Sequence, residues 1–330
     1  MKFSLIICTY QRPKALITLL NSVGKQTLYP NEIIIVDGSL DDATKNVLKA
    51  EKFRNLSYYL VSKEERGLTK QRNFGISKLA TNSEVVCFLD DDIILFDNYF
   101  EELIETYSNN PGALAVGGYI SNEISWLKSN RALTNSEYGF DGYIRKEGSR
   151  FILRNKLRLI DNTKPGFMPE FSNGRSVSYL PPSGKIYEVE QLMGGVASYR
   201  IEVFKKLQFS TYFEGYGLYE DADFSLRIAE IGKLYINTAA QLEHHHHPDG
   251  RPNKYQYGKM VVRNGWYVWR VKFPKPRIIA RLKWSAIVLL LIVIRFTNVF
   301  TTKKRKEAFT EGLGRLVGWF SLFLNKPKQI

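Results

Sequence analysis

Three consecutive carboxylates, Asp90-Asp91-Asp92, follow directly on the apolar run at 85–89. A buried strand that ends abruptly in clustered acids delivers negative charge to the carboxyl edge of a sheet, where ligands bind in open α/β folds. Neighbouring carboxylates repel one another, and a hard divalent cation such as Mg²⁺ or Mn²⁺ relieves that repulsion. The run alone leaves a solvated acidic loop open as the alternative. A second acidic group, Glu220-Asp221-Ala222-Asp223, precedes the helical pattern at 224–231. Acids there either charge the first turn of the helix or supply a general base. Asp37-Gly38-Ser39 closes a third apolar run, at 33–36, with a turn-forming sequence.

Such groups need a scaffold that gathers separated strand ends. Residues 3–8 form a short β-branched and aromatic run that stops at Thr9 and Tyr10, and Pro13 opens a helical pattern through Leu16, Leu19, Leu20 and Val23. Apolar strands at 33–36, 56–61 and 85–89 alternate with helical stretches around Val47 and Leu48 and at 73–79. This alternation predicts a parallel sheet with helices on its faces. Residues 99–107 read as an amphipathic helix and 113–120 as a glycine-broken strand. From 121 to 187 the chain is polar, aromatic and rich in Gly, Ser and Asn, the texture of long functional loops. Within it, Lys146, Arg150, Arg154, Lys156 and Arg158 read as a solvated or membrane-facing basic stretch. The two cysteines, Cys8 and Cys87, fall inside strand-like runs and read as buried thiols.

Five stretches in this order and spacing resemble the inverting family 2 glycosyltransferases. They are Ser4-Leu5-Ile6-Ile7-Cys8-Thr9-Tyr10-Gln11-Arg12-Pro13, Asp37-Gly38-Ser39, Arg66-Gly67-Leu68-Thr69-Lys70-Gln71-Arg72-Asn73-Phe74-Gly75-Ile76, Asp90-Asp91-Asp92, and Met193-Gly194-Gly195 with Glu220-Asp221. The resemblance implies an α/β GT-A nucleotide-sugar-binding fold with a mostly parallel central sheet flanked by helices. It implies that Thr9, Tyr10 and Arg12 line the nucleotide pocket, that Asp37 accepts from the base, and that Arg72, followed by Lys70 and Arg66, faces the base or the diphosphate. Asp90 and Asp92 would be the two acids of the DXD motif, with Asp92 on the metal and Asp90 and Asp91 on the donor side. Gly194, Gly195 and Glu220 would belong to the sugar or acceptor pocket, and Asp221 would be the catalytic base.

The family often has two acids before Gly-Ser, where this chain has only Asp37. Asn73 and Gly75 are equally well explained by helix packing, and Arg227 by an i,i+4 pair with Asp223. A four-histidine run begins at His244 and, unlike a terminal tag, is followed by about eighty ordinary residues. By resemblance His244 completes the shell of a Mn²⁺ or Mg²⁺ ion, and Arg251 meets the diphosphate.

The formal charge of +14 on 330 residues is uneven: residues 251–330 hold eighteen Lys and Arg against Glu307 and Glu311. The half that carries the motifs is therefore slightly acidic, which argues against nucleic acid as the partner. Three regions follow: a GT-A domain over 1–250, a basic connecting segment over 251–283 and a membrane-associated helical tail over 284–330. The apolar stretch at 284–300 would be about 26 Å long as a helix, marginal against a hydrocarbon core of about 30 Å. Cations flank both its sides, and Phe309, Leu313, Leu316, Val317, Phe320, Phe323 and Leu324 form a helical stripe after it. Peripheral or monotopic attachment at the cytoplasmic face of the cell membrane is the first expectation, and a single span the second.

The expected activity is metal-dependent, inverting transfer of a sugar from a nucleotide sugar, with a UDP-sugar as first choice. The acceptor is a lipid-linked or membrane-proximal glycan, and homo-oligomer formation is left open. The rivals are transfer onto polyprenyl phosphate and a catalytically silent, nucleotide-sugar-binding scaffold subunit.

Overall fold

The computed structural model describes residues 1–80, 82–213, 215–246 and 252–328. Arg251, expected to meet the diphosphate, and the last histidine of the run lie outside the described residues. In chain order the elements are β1 (Phe3–Thr9), α1 (Pro13–Gly24), β2 (Glu32–Asp37), α2 (Ala43–Ala50), β3 (Leu56–Leu60), α3 (Leu68–Ser77), β4 (Val85–Asp90), β5 (Ile93–Leu95), α4 (Tyr99–Asn109) and β6 (Ala113–Ile120). There follow β7 (Leu127–Lys128), β8 (Glu137–Phe140), β9 (Tyr143–Lys146), α5 (Ser149–Lys156), β10 (Ile186–Val189), β11 (Val196–Arg200), α6 (Glu220–Ala229) and β12 (Lys233–His244). The last three are α7 (Lys254–Lys272), α8 (Ile278–Thr301) and α9 (Arg305–Leu324). The chain divides into two compact units, residues 1–126 with 177–248, and residues 127–176 with 249–330.

The first unit is built on a nine-stranded sheet ordered β10-β12-β6-β11-β4-β1-β2-β3, with β5 paired to β12. Its N-terminal half follows the alternation of strands and helices: β1 pairs in parallel with both β2 and β4, and β2 with β3. The sheet as a whole is mixed, which corrects the expectation of a mostly parallel one. β11 runs antiparallel between β4 and β6, and β10 and β5 run antiparallel to β12. Only β12 and β6 pair in parallel in that half. Strand direction there is set by long-range pairing, to which local periodicity is blind. One face is sealed by Leu16, Leu19, Leu20 and Val23 of α1 and by Tyr99, Phe100, Leu103 and Tyr107 of α4, all fully or nearly fully buried against Leu5, Ile7, Ile33 and Ile35. On the other face, Phe88, Tyr199, Phe204, Phe209 and Phe224 make a cluster of edge-on and stacked rings, an arrangement favoured by the ring quadrupoles. Cys8 and Cys87 are free thiols.

The second unit holds a small antiparallel sheet, β7-β9-β8, where the sequence shows only irregular chain. Arg154, expected in a solvated basic stretch, is buried and donates to the Leu159 carbonyl, while Arg175 pairs with Glu147 at 2.8 Å. α9 packs on α7 and α8 through small residues: a Cβ at Gly258 would fall on the Glu311 carbonyl and one at Gly314 on the Tyr255 carbonyl. Glu311 is buried on this face between Arg295 and Arg315. The large apolar residues Phe309, Phe320, Phe323 and Leu324 point outward. Among the described residues no helix is long and apolar enough to cross a membrane.

Candidate active site

The carboxyl ends of β1, β2 and β4 lie side by side, with Thr9 opposite Asp37 and Cys8 opposite Asp90 in the strand registers. The N–H of Gly38 donates to the Thr9 carbonyl at 3.0 Å, and Gln71 of α3 donates its amide to the Thr9 and Val36 carbonyls at 3.2 and 2.9 Å. Gln71 therefore ties the two strand ends together, a role its position in the motif did not reveal. Asp37 is fully buried, accepting from the Ser39 N–H at 2.8 Å and the Tyr58 hydroxyl at 2.9 Å. Tyr10 stands exposed at the end of β1. Gln11 beside it takes a left-handed backbone, φ 54°, with its N–H on the Ser39 hydroxyl.

The three aspartates separate into distinct environments. Asp91 is buried and accepts from the Thr9 hydroxyl at 2.6 Å and from Arg12 at 3.1 Å. Burial lifts its carboxyl to about 6 against the pull of Thr9 and Arg12. Asp92 lies 3.5 Å from Arg12 and 3.1 Å from Nε2 of His244. Asp90 is the open one, with its side chain 40% accessible and 3.7 Å from Arg72. Ligand atoms of Asp90, Asp92 and His244 all lie within 4.8 Å of one another. Two carboxylates and one imidazole form a donor set that suits Mn²⁺ or Mg²⁺. Burial lowers the His244 pKa, but Asp92 and Glu123 more than reverse this and bring it to about 10.

The second acidic group meets the first across Gly194 and Gly195. The Asp90 N–H donates to the Gly195 carbonyl at 3.0 Å, and a Cβ on Gly195 would fall on the Asp90 carboxylate. The Gly194 N–H donates to Asp221 Oδ2 at 3.2 Å, and the Ala222 N–H to Oδ1 at 2.7 Å. Burial raises the Asp221 carboxyl, with both N–H groups opposing. Glu220, buried, pairs with the buried Arg72 at 2.6 Å. Burial pushes the Glu220 carboxyl up to about 8 against the charge of Arg72. Arg72 itself lies over the rings of Phe88 and Phe209 at 5.7 and 5.2 Å and stays protonated, since Glu220 and Asp90 outweigh its burial.

The left-handed Tyr219, φ 72°, turns the chain into α6; a non-glycine residue so held stores strain of order 1 kcal/mol, a common mark of functional sites. The i,i+4 pair expected between Asp223 and Arg227 forms at 2.6 Å. Asn73 exchanges hydrogen bonds with the Phe209 backbone, and Gly75 packs on Ile6.

One participant belongs to no motif. Glu123 sets Oε1 3.4 Å from Nδ1 of His244 and 3.0 Å from Nε2 of His246. It lies in the irregular stretch after β6, and only its acidity could have marked it.

The model of glycosyl transferase family 2 matches residues 4–175, just over half of the chain. The chain is 34% identical over 125 residues to the glucosyl-dolichyl phosphate glucuronosyltransferase of Haloferax volcanii, a match covering 36% of this chain and 38% of that one. It is 30% identical over 118 residues to the O-antigen chain rhamnosyltransferase RfbN of Salmonella typhimurium (36% and 37% covered). With the uncharacterised glycosyltransferase YwdF of Bacillus subtilis the identity is 33% over 189 residues (57% and 58% covered). The chain thus spans less than two thirds of each of these relatives. Among solved structures, GalNAc-T7 with UDP, GalNAc and Mn²⁺ superposes with a TM-score of 0.52 at 17% identity, covering 79% of this chain and 47% of that one; the likeness is one of fold.

Proposed function

The chain belongs to glycosyltransferase family 2, and we propose that it moves a sugar, with inversion, from a nucleotide sugar to a hydroxyl of a lipid-linked or membrane-proximal glycan. The observation that carries the reading is the convergence on one glycine pair: Gly195 lies under Asp90 and Gly194 holds Asp221. A metal-site acid and a candidate base therefore flank one small space that side chains at 194 and 195 would fill.

Asp221 takes the acceptor hydroxyl proton as that oxygen attacks the anomeric carbon. The bond from that carbon to the diphosphate oxygen breaks, and its electron pair leaves with the nucleoside diphosphate. The Gly194 and Ala222 N–H groups fix the orientation of the Asp221 carboxylate, and burial keeps it basic enough to accept a proton. Oε2 of Glu220 is buried with no hydrogen-bond donor among the described residues, which supports a substrate hydroxyl donating there. Asp90, Asp92 and His244 would hold a Mn²⁺ or Mg²⁺ ion, which when bound offsets charge on the departing diphosphate. Thr9, Tyr10, Arg12, Asp37 and Arg72 belong to the donor side, with UDP the favoured nucleotide; the fold neighbour was solved with UDP and Mn²⁺.

The second unit is read as the attachment to a membrane surface at the cytoplasmic face. The outward Phe309, Phe320 and Phe323 and a cleft lined by Lys254, Lys303, Lys304, Arg305 and Lys306 support it, since apolar residues beside clustered cations suit anionic lipid. Release of nucleoside diphosphate from a panel of nucleotide sugars, with Mn²⁺, with Mg²⁺ and with chelator, tests the chemistry. Asp221→Asn should abolish turnover while donor binding by calorimetry persists. Full turnover by that variant would remove Asp221 as the base, and turnover by neither protein would favour the scaffold reading.

A further inference from the structure

We propose that Glu123 is a positioning residue for His244, holding its imidazole so that Nε2 faces Asp90 and Asp92. This rests on the reading that those three residues hold a divalent cation. β6 and β12 run in parallel to the register pair Ile120 and Leu242, and the chain beyond β6 continues along the end of β12. The Ser121 N–H and hydroxyl both donate to the Leu242 carbonyl, at 2.9 and 3.0 Å. Asn122 then clamps the backbone of His244 from both sides, accepting from its N–H at 3.0 Å and donating to its carbonyl at 3.1 Å. The next residue, Glu123, presents Oε1 to Nδ1 of His244 at 3.4 Å, while Nε2 of the same ring lies 3.1 Å from Asp92. Three successive side chains thus fix the strand end and then the ring it carries.

The chemical consequence is a choice of tautomer. A carboxylate at Nδ1 keeps one proton on that nitrogen when a cation displaces the proton on Nε2, and it raises the basicity of the ligand. His246, whose Nε2 is 3.0 Å from the same Oε1 and whose ring centroid is 4.0 Å from that of His244, buttresses the carboxylate from the solvent side. A different arrangement is geometrically available, because Glu123, His244 and His246 also offer three ligand atoms within 4.8 Å. That arrangement would consume Nδ1 of His244 and make a second, separate ion site.

Mn²⁺ binding to the full chain, followed by the electron paramagnetic resonance of the free ion, separates these possibilities without any turnover measurement. The expected result is one ion per chain, an affinity about 10- to 100-fold weaker in Glu123→Gln, and partial recovery in Glu123→Asp. The melting midpoint of the metal-free protein should be unchanged. In a His244→Gln background, Glu123→Gln should have no further effect, because it acts only through that ring. Unchanged affinity in Glu123→Gln, or a fully additive loss in the double variant, would overturn the proposal while leaving the metal site standing. So would two ions per chain of which Glu123→Gln removes one and spares the other. An unsubstituted chain that takes up no Mn²⁺ would overturn the metal site and this inference together.

Discussion

Replacing Gly194 with alanine adds one methyl group at the point where the two acidic groups meet. Its Cβ would stand 2.7 Å from Glu220 Oε1, 2.8 Å from Arg72 Nη1 and 2.9 Å from Asp221 Cβ. Ordinary contact begins at 3.4 Å, so these atoms must retreat by about 0.7, 0.6 and 0.5 Å respectively. Glu220 and Arg72 are buried and paired at 2.6 Å, so neither can swing into solvent, and the strain falls on the pair and on Asp221. Overpacking of this kind typically costs about 1–3 kcal/mol, and a catalytic group misplaced by about 1 Å loses about 10²-fold in rate. Shifts of half to two thirds of that distance should lower kcat by roughly 10- to 25-fold. The assay is nucleoside diphosphate release at saturating donor, paired with a thermal melt. Gly112→Ala, whose Cβ meets nothing within 4 Å, is the control and should match the unsubstituted protein in rate. A Gly194→Ala enzyme within twofold of the unsubstituted rate would falsify the claim that this glycine spaces the base.

Arg72→Met should destabilise the first unit by about 3–5 kcal/mol, because it leaves the buried Glu220 without its partner, and adding Glu220→Gln should recover part of the loss. Burial holds the Glu220 carboxyl at about 8 even beside Arg72, so the charge-linked loss should be largest in alkaline solution and should shrink as pH falls through that value; urea unfolding that shows less than about 1 kcal/mol well above that pH would contradict the pair's role. Since burial raises the Asp221 carboxyl above its ordinary 3.8 and the base must be unprotonated, kcat/KM should rise with pH through an acidic limb lying above that value. A profile still flat at the ordinary aspartate pKa would exclude this carboxylate. Phe320→Ser with Phe323→Ser, both outward on α9, should weaken flotation with phosphatidylglycerol vesicles and leave turnover on soluble acceptors unchanged. Equal flotation of the variant, or equal binding to phosphatidylcholine alone, would refute the anionic-lipid surface.

The parts of this architecture that sequence makes legible are those fixed by neighbouring residues. β1, β2 and β4 are almost wholly buried, largely apolar runs, and each ends at the acid or hydroxyl assigned to the site. The separate fates of the three aspartates are not local, because Asp91 becomes a buried anchor only when Thr9 and Arg12 arrive from another strand end. Arg72 is expected to face the base or the diphosphate, and its burial depends on Phe88 of β4 and on Phe209 from the segment between β11 and α6. Glu311 is similar. Its helix carries an obvious apolar stripe, yet the packed face is the one with Gly312, Gly314, Gly318 and this acid. The stripe, expected at a membrane surface, stands outward, and nothing local marks the small-residue face as the one that packs, although close approach of helix backbones selects small residues. Glu123 is not legible locally, because its neighbours have no periodicity and its placement follows from backbone pairing beyond β6.

The position of β11 also dictates a timetable. Its two neighbours in the sheet, β4 and β6, lie well upstream in the chain, and between them they leave a strand-wide slot that only residues 196–200 fill. On a ribosome those flanking strands emerge first and wait with open edges, the condition most prone to mispairing with other chains. Gly194 and Gly195 arrive with the strand that closes the slot, and Asp221 and His244 arrive later still. Asp90 therefore leaves the ribosome well before the residues proposed to work with it, and the candidate site is completed only in successive late steps as β11, α6 and the end of β12 emerge.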